Sequence, residues 1–208
     1  MTPSKVVKQK ATSHVEVDNF YLDTIEVQAV LDAIVESQFP KQWKALQKAH
    51  KAGKWSKHDY GPYLGYVLIW KLPSWVHLDG QDEGPTITFP NGFFERGYMD
   101  LLDFDLRFLY SRGHVMVGWT CFILHRVSPW TSRITQLGSK ERREQDKYGL
   151  TPGRIGAVAY FPNTAYAQLH DKPPGWGKIT KWGVNKVEGD SKYNVDLISS
   201  PYIPLYTL

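Results

Sequence analysis

The hydrophobic period changes once along this chain, and that change restricts the fold more than any other feature. Val27, Val30, Leu31, Ile34 and Val35 recur at i, i+3, i+4, i+7 and i+8, one stripe of a helix. Asp23 stands where an N-cap would, with Glu26 three residues on, the capping-box spacing. Pro40 stops this helix or opens the next, because proline is tolerated only in a first turn. Helices are therefore expected over about 24–38 and about 40–52, with Gly53 as a C-cap. Ahead of them, the weak alternation of Val15, Val17 and Tyr21 predicts a short strand over 14–22.

From residue 60 the period is two. Tyr66, Leu68, Trp70 and Leu72 alternate with Val67, Ile69 and Lys71. A short strand is expected at Thr86–Phe89, ended by a turn at Pro90-Asn91-Gly92. Leu102, Phe104, Leu106, Phe108 and Tyr110 alternate with Asp103, Asp105 and Arg107. With the run His114–Val127 they predict a long central hairpin turning at Ser111-Arg112-Gly113. Ile155–Phe161 predicts another strand, and Val184–Val187 with Tyr193–Ile198 a last hairpin. Helices followed by strands give an α+β fold: an N-terminal helical pair packed on a mostly antiparallel, twisted β-sheet, open to barrel-like or sandwich-like closure. The expected organisation is a flexible basic tail over 1–12 and a single α+β domain over 13–208, β-rich from about 60 to 200.

The chain of 208 residues is long enough for a real core, and its single Cys excludes a disulfide scaffold and any CxxC-type metal site. That lone cysteine fits a reducing compartment: an intracellular protein, cytoplasmic, peripheral at the inner membrane face or in a virion. No apolar stretch is long enough for a signal core or a membrane span, so no integral membrane segment is expected.

The net charge of +4 conceals a local concentration. Lys41, Lys44, Lys48 and Lys51 fall within an arc of roughly 80° on the second helix, opposite Trp43, Leu46, Ala49 and His50. Lys54 and Lys57 extend the run, giving six lysines and no acid between Lys41 and Lys57. Lys5, Lys8 and Lys10 add positive charge in the tail. Without an interleaved acid the stripe cannot be an internal salt-bridge ladder. It points to an anionic membrane surface, or to nucleoprotein or RNA. Trp176 and Trp182, in a Pro/Gly loop with nearby lysines, are candidate interface aromatics.

Catalysis needs converging groups, and the candidates lie scattered. His77 and Asp79 share a strand face, and Asp103, Asp105 and Arg107 cluster in sequence. These five residues are the pocket set if the protein is a small-molecule enzyme of isomerase, dehydratase or cyclase type. Cys121 reads as a buried small hydrophobe. Neither HExxH nor a second ligand cluster is present, nor a GxGxxG or GxxxxGK[ST] loop, so no metal, cofactor or catalytic residue is assigned. The favoured reading is a non-enzymatic, self-associating binding protein; a viral coat subunit is a further alternative.

The basic KVVKQK segment near the start and the run Tyr98–Pro129, YMDLLDFDLRFLYSRGHVMVGWTCFILHRVSP, resemble the matrix proteins of rhabdovirus-type negative-strand RNA viruses in size and layout. The likeness covers about two-thirds of the chain and carries no PPxY, since Pro173-Pro174-Gly175 is followed by Trp176. It implies a structural protein of the virion that self-assembles and bridges a nucleoprotein to a membrane.

Overall fold

The computed structural model describes residues 11–133, Lys140, 153–181 and 184–185. Lys5, Lys8, Lys10, Trp182 and the strand expected at Tyr193–Ile198 lie outside the described residues. The chain is α+β, and the described residues fall into two compact units: residues 65–162, and the segments before and after them. No helix among the described residues is long and apolar enough to cross a membrane.

The flanking unit is helical apart from a short antiparallel ladder, in which Val184–Asn185, expected to face Tyr193–Ile198, pairs Thr180–Lys181. It contains α1 (Ala11–Asp23), α2 (Ile25–Gln38), α3 (Pro40–Gly53), α4 (Asn163–Leu169) and the single turn α5 (Trp176–Ile179). The strand expected at 14–22 is instead α1, because so few alternating residues fit either period. The junction of α1 and α2 is held by polar bonds: Thr24 Oγ1 donates to Phe20 O at 2.6 Å, and Gln28 Nε2 donates to Tyr21 O at 3.0 Å. Thr24, not Asp23, precedes α2, and no side chain caps it.

The buried face of α2 is rotated from the expected stripe. Gln28, Leu31, Asp32 and Val35 are buried, while Val27 and Val30 are exposed. The two polar members stay inside because both are bonded. Gln28 Oε1 accepts the Tyr60 N–H, and Asp32 Oδ1 accepts Trp43 Nε1–H at 2.8 Å and Gln47 Nε2–H at 2.7 Å. Those last two bonds tie α2 to α3. Pro40 opens α3 as expected, but Lys54 occupies the C-cap position. Gly53 serves close packing instead: a Cβ there would lie 2.5 Å from Leu169 Cδ1.

The other unit consists of two antiparallel sheets, neither closed into a barrel among the described residues. Its strands are β1 (Gly65–Trp70), β2 (Ser74–His77), β3 (Thr86–Arg96), β4 (Met99–Leu101), β5 (Leu106–Phe108), β6 (Met116–Gly118), β7 (His125–Val127), β8 (Trp130–Ser132) and β9 (Gly153–Tyr160). The first sheet runs β1-β9-β3-β6, with β8 on the far end of β3; the second runs β2-β7-β4-β5.

β3 does not turn at Pro90 but continues to Arg96. It pairs β9 along one edge, while on the other edge β6 covers Thr86–Thr88 and β8 covers Phe94–Arg96. Pro90 falls in the gap between them, where its carbonyl accepts the Gly113 N–H. A missing N–H costs no ladder bond there. Likewise, the long hairpin expected over residues 102–127 is not formed. Leu102–Phe104 make a 3₁₀ turn ending at left-handed Asp105, so β4 and β5 pair with each other. β6 joins the first sheet and β7 the second.

Gly92 has φ +97°, and a Cβ there would lie 2.1 Å from Gly153 O. Gly92→Ala should therefore lower unfolding stability by more than about 2 kcal/mol in urea denaturation, combining a strained φ with a backbone clash. A loss below 0.5 kcal/mol, roughly the level of a neutral surface change, would show that β3 and β9 do not pack this closely.

Candidate metal centre

Alternation brings one set of side chains from each sheet to a shared cavity of about 350 Å³. The first sheet contributes Thr86 and Thr88 from β3 and Arg154, Gly156 and Val158 from β9. The second contributes His77 from β2, Met99 from β4, and His125 and Val127 from β7.

His77 and His125 are direct partners across the β2–β7 ladder, with ring centroids 4.3 Å apart. Asp79 lies just beyond the end of β2, where its N–H donates to Thr120 O. Asp79 Oδ1 is 3.5 Å from His77 Nε2, and Asp79 Oδ2 is 3.6 Å from His125 Nε2. The donor atoms of the three residues lie within 4.8 Å of one another, close enough to share one ion.

Both histidines are oriented in the same way. His77 Nδ1 lies 2.6 Å from Trp75 O, and His125 Nδ1 lies 2.9 Å from Ile123 O. A carbonyl only accepts, so each Nδ1 carries a proton, and each ring turns its Nε2 toward Asp79. Backbone carbonyls holding the second ring nitrogen are the usual outer partners of metal-ligating histidines.

The rest of the cavity is electrically unusual. Arg154 is buried at 3% exposure, and no carboxylate pairs with it among the described residues. Its Nε lacks a hydrogen-bond partner among them. Its guanidinium instead lies 5.4 Å from the Tyr110 ring centre and 5.9 Å from that of Phe94. Burial lowers the Arg154 pKa. Tyr110 hydrogen-bonds Thr88 at 2.8 Å; burial pushes its phenol up to about 12, against the pull of that bond and of Arg154. Asp82, also on the cavity, is pushed up to about 7 by burial and then by the Asp79 charge.

Of the pocket set named from sequence, the structure brings together only His77 and Asp79. Asp103 accepts the Leu124 N–H, and Asp105 is an exposed turn residue. Arg107 forms a two-bond fork on Asp100 at 2.6 and 3.1 Å, joined by Arg126 at 2.8 Å. None of these three residues lines the cavity. The third donor, His125, lies 48 positions beyond His77, and no local spacing identifies it. Trp176 is buried rather than offered at an interface. The lysine stripe is present as expected: Lys41, Lys44, Lys48, Lys51 and Lys57 are exposed, while Lys54 is half-buried and donates to Asp59 O.

No protein-family model matches this chain, and no curated protein is significantly similar to it. Among solved structures, one described as NgTET1 in complex with 5mC DNA is similar at 15% identity and a TM-score of 0.48, covering 72% of this chain. The chain spans half the length of that structure's chain. None of these comparisons links the chain to rhabdovirus-type matrix proteins.

The Asp100 carboxylate is held below its ordinary pKa, first by the Arg107 hydrogen bond, with Arg126 adding to it. The resulting stability is complete above the unfolded-state value near about 3.9 and drains as pH falls through the lowered folded value. Asp100→Asn should remove that acid-side slope from a plot of unfolding free energy against pH. An unchanged slope would mean that the fork does not hold the carboxylate.

Proposed function

We propose that the protein is a metal-dependent oxygenase whose metal ligands are His77, Asp79 and His125. The observation that carries this reading is the donor atoms of two histidines and one carboxylate within 4.8 Å, with Asp79 facing the Nε2 of both histidines and each Nδ1 held by a backbone carbonyl. Two histidines and one carboxylate leave coordination positions open, the donor set of non-haem Fe(II) oxygenases. Ferrous iron held there would supply O₂ activation. The chain's own residues do the rest. Trp75 O and Ile123 O fix the imidazole tautomers, and Asp79 supplies the charge. Val158 of the first sheet and Met99 and Val127 of the second give the cavity an apolar lining.

Arg154 defines the second part of the reading. A buried guanidinium with no carboxylate partner among the described residues calls for an anionic ligand. O₂ accepts four electrons, whereas hydroxylating a substrate supplies two. Oxidative decarboxylation of a 2-oxo acid supplies the other two and releases CO₂. A 2-oxo dicarboxylic acid suits a cavity with a metal site and a buried cation, and Arg154 would hold its distal carboxylate.

Co(II) titration of the metal-stripped full chain should show one site. Asp79→Ala and His125→Ala should each weaken it by at least about tenfold to 100-fold, the size seen even for outer partners. Equal Co(II) affinity in both variants and the unaltered chain would remove the basis for this reading.

Arg154→Met should leave Co(II) affinity in place but weaken binding of the 2-oxo acid, measured calorimetrically on the Co(II) form. The expected loss is about 3 kcal/mol, more than 100-fold, because a desolvated charge pair is broken. Unaltered acid binding would show that Arg154 serves the fold alone.

A further inference from the structure

We infer that the lysine face of α3 binds the phosphate backbone of a nucleic-acid duplex. This site lies in the helical unit, and its evidence is independent of the metal centre. Lys41, Lys44, Lys48 and Lys51 are all exposed, and none of them forms an ion pair among the described residues. They follow one side of the helix over ten residues, a rise of about 15 Å. A duplex presents a phosphate charge every 1.7 Å of axis, so about nine lie within that span, more than one for each ammonium.

The choice among polyanions follows from what the helix has already committed. A helix that binds a bilayer sinks its apolar face between the headgroups. Here that face is used internally, since Leu46, Ala49 and His50 are buried at 1% exposure or less. Single-stranded nucleic acid calls for aromatic platforms beside the cations. The aromatic of α3, Trp43, is half-buried, with its indole N–H bonded to Asp32. What remains exposed is a row of point charges on long stems, suited to a backbone of phosphates. Recognition should therefore be independent of sequence and dominated by counterion release.

The test is fluorescence anisotropy of a labelled 20-base-pair duplex of mixed sequence with the full chain, over a salt series. The logarithm of the binding constant should fall with the logarithm of salt at a slope near −3.6, about 0.9 for each of four neutralised phosphates. That is a weakening of roughly 100-fold between 50 and 200 mM salt. Each single Lys→Gln at position 41, 44, 48 or 51 should reduce the slope by about 0.9, and the fourfold variant should leave it below about 1. Circular dichroism and thermal melting establish that the fourfold variant is folded, as substitutions on an exposed face allow. A duplex of unrelated sequence should bind within about twofold. Binding whose slope is the same in the unaltered chain and the folded fourfold variant would overturn the inference. So would lysine-dependent binding to phosphatidylserine vesicles with none to the duplex, which would assign the face to a lipid surface.

Discussion

The β2–β7 register is the constraint on which the candidate site depends. His77 and His125 meet because their Cα positions are direct partners in an antiparallel pair. A slip of one residue would send His125 to the opposite face, since side chains alternate with a period of two. β7 is only three residues long, so the register must be secured elsewhere. Pairing of β7 with β4, from Met99↔Val127 to Leu101↔His125, does this, and the Asp100 carboxylate clamps the same region through Arg126 of β7 and Arg107 of β5. An ion-pair cluster outside the cavity thus bears on the position of a ligand inside it.

The interior of this sheet pair departs from an ordinary sandwich core. Burying a guanidinium without a carboxylate is costly, and aromatic faces recover only about 1–2 kcal/mol of that cost. The Tyr110 and Phe94 rings hold Arg154 in place without consuming all of its donors. A carboxylate neighbour would have been the more stabilising choice, and it would have closed the position to an incoming anion. The arrangement has the character of a site maintained at some expense to stability.

This departure also explains what was legible in the sequence. The helix-to-strand order, α2, α3, the strands at β1 and β9 and the lysine face were readable, because each rests on a local pattern. The sheet interior was not. Alternation assigns Leu68, Trp70, Phe104 and Leu106 to a core, but all four are exposed. Thr86, Thr88, His125 and Arg154 are buried instead, held by cavity-side partners such as the Thr86–Thr120 and Thr88–Tyr110 hydroxyl pairs. A rule that places apolar residues inside cannot see a cavity built from polar ones. Of the candidate metal donors, the His77-x-Asp79 pair was recognisable as a shared face. His125 was hidden by the expected hairpin, which put it in one long strand with residues that belong to the other sheet. Only the pairing of β2 with β7 reveals it, and that contact spans 48 positions.

Charge is handled in opposite ways at the two candidate sites. Arg154 is a single buried cation whose partner must be small enough to enter a 350 Å³ cavity and lose its water. The α3 lysines are fully hydrated cations whose partner must be long, because each contact alone is weak and screened by salt. The first geometry selects by shape and desolvation, so its binding should respond little to ionic strength once a ligand is enclosed. The second selects by charge density alone, so its binding should collapse with salt. Ionic strength therefore separates the two proposed activities in the intact chain, without any substitution.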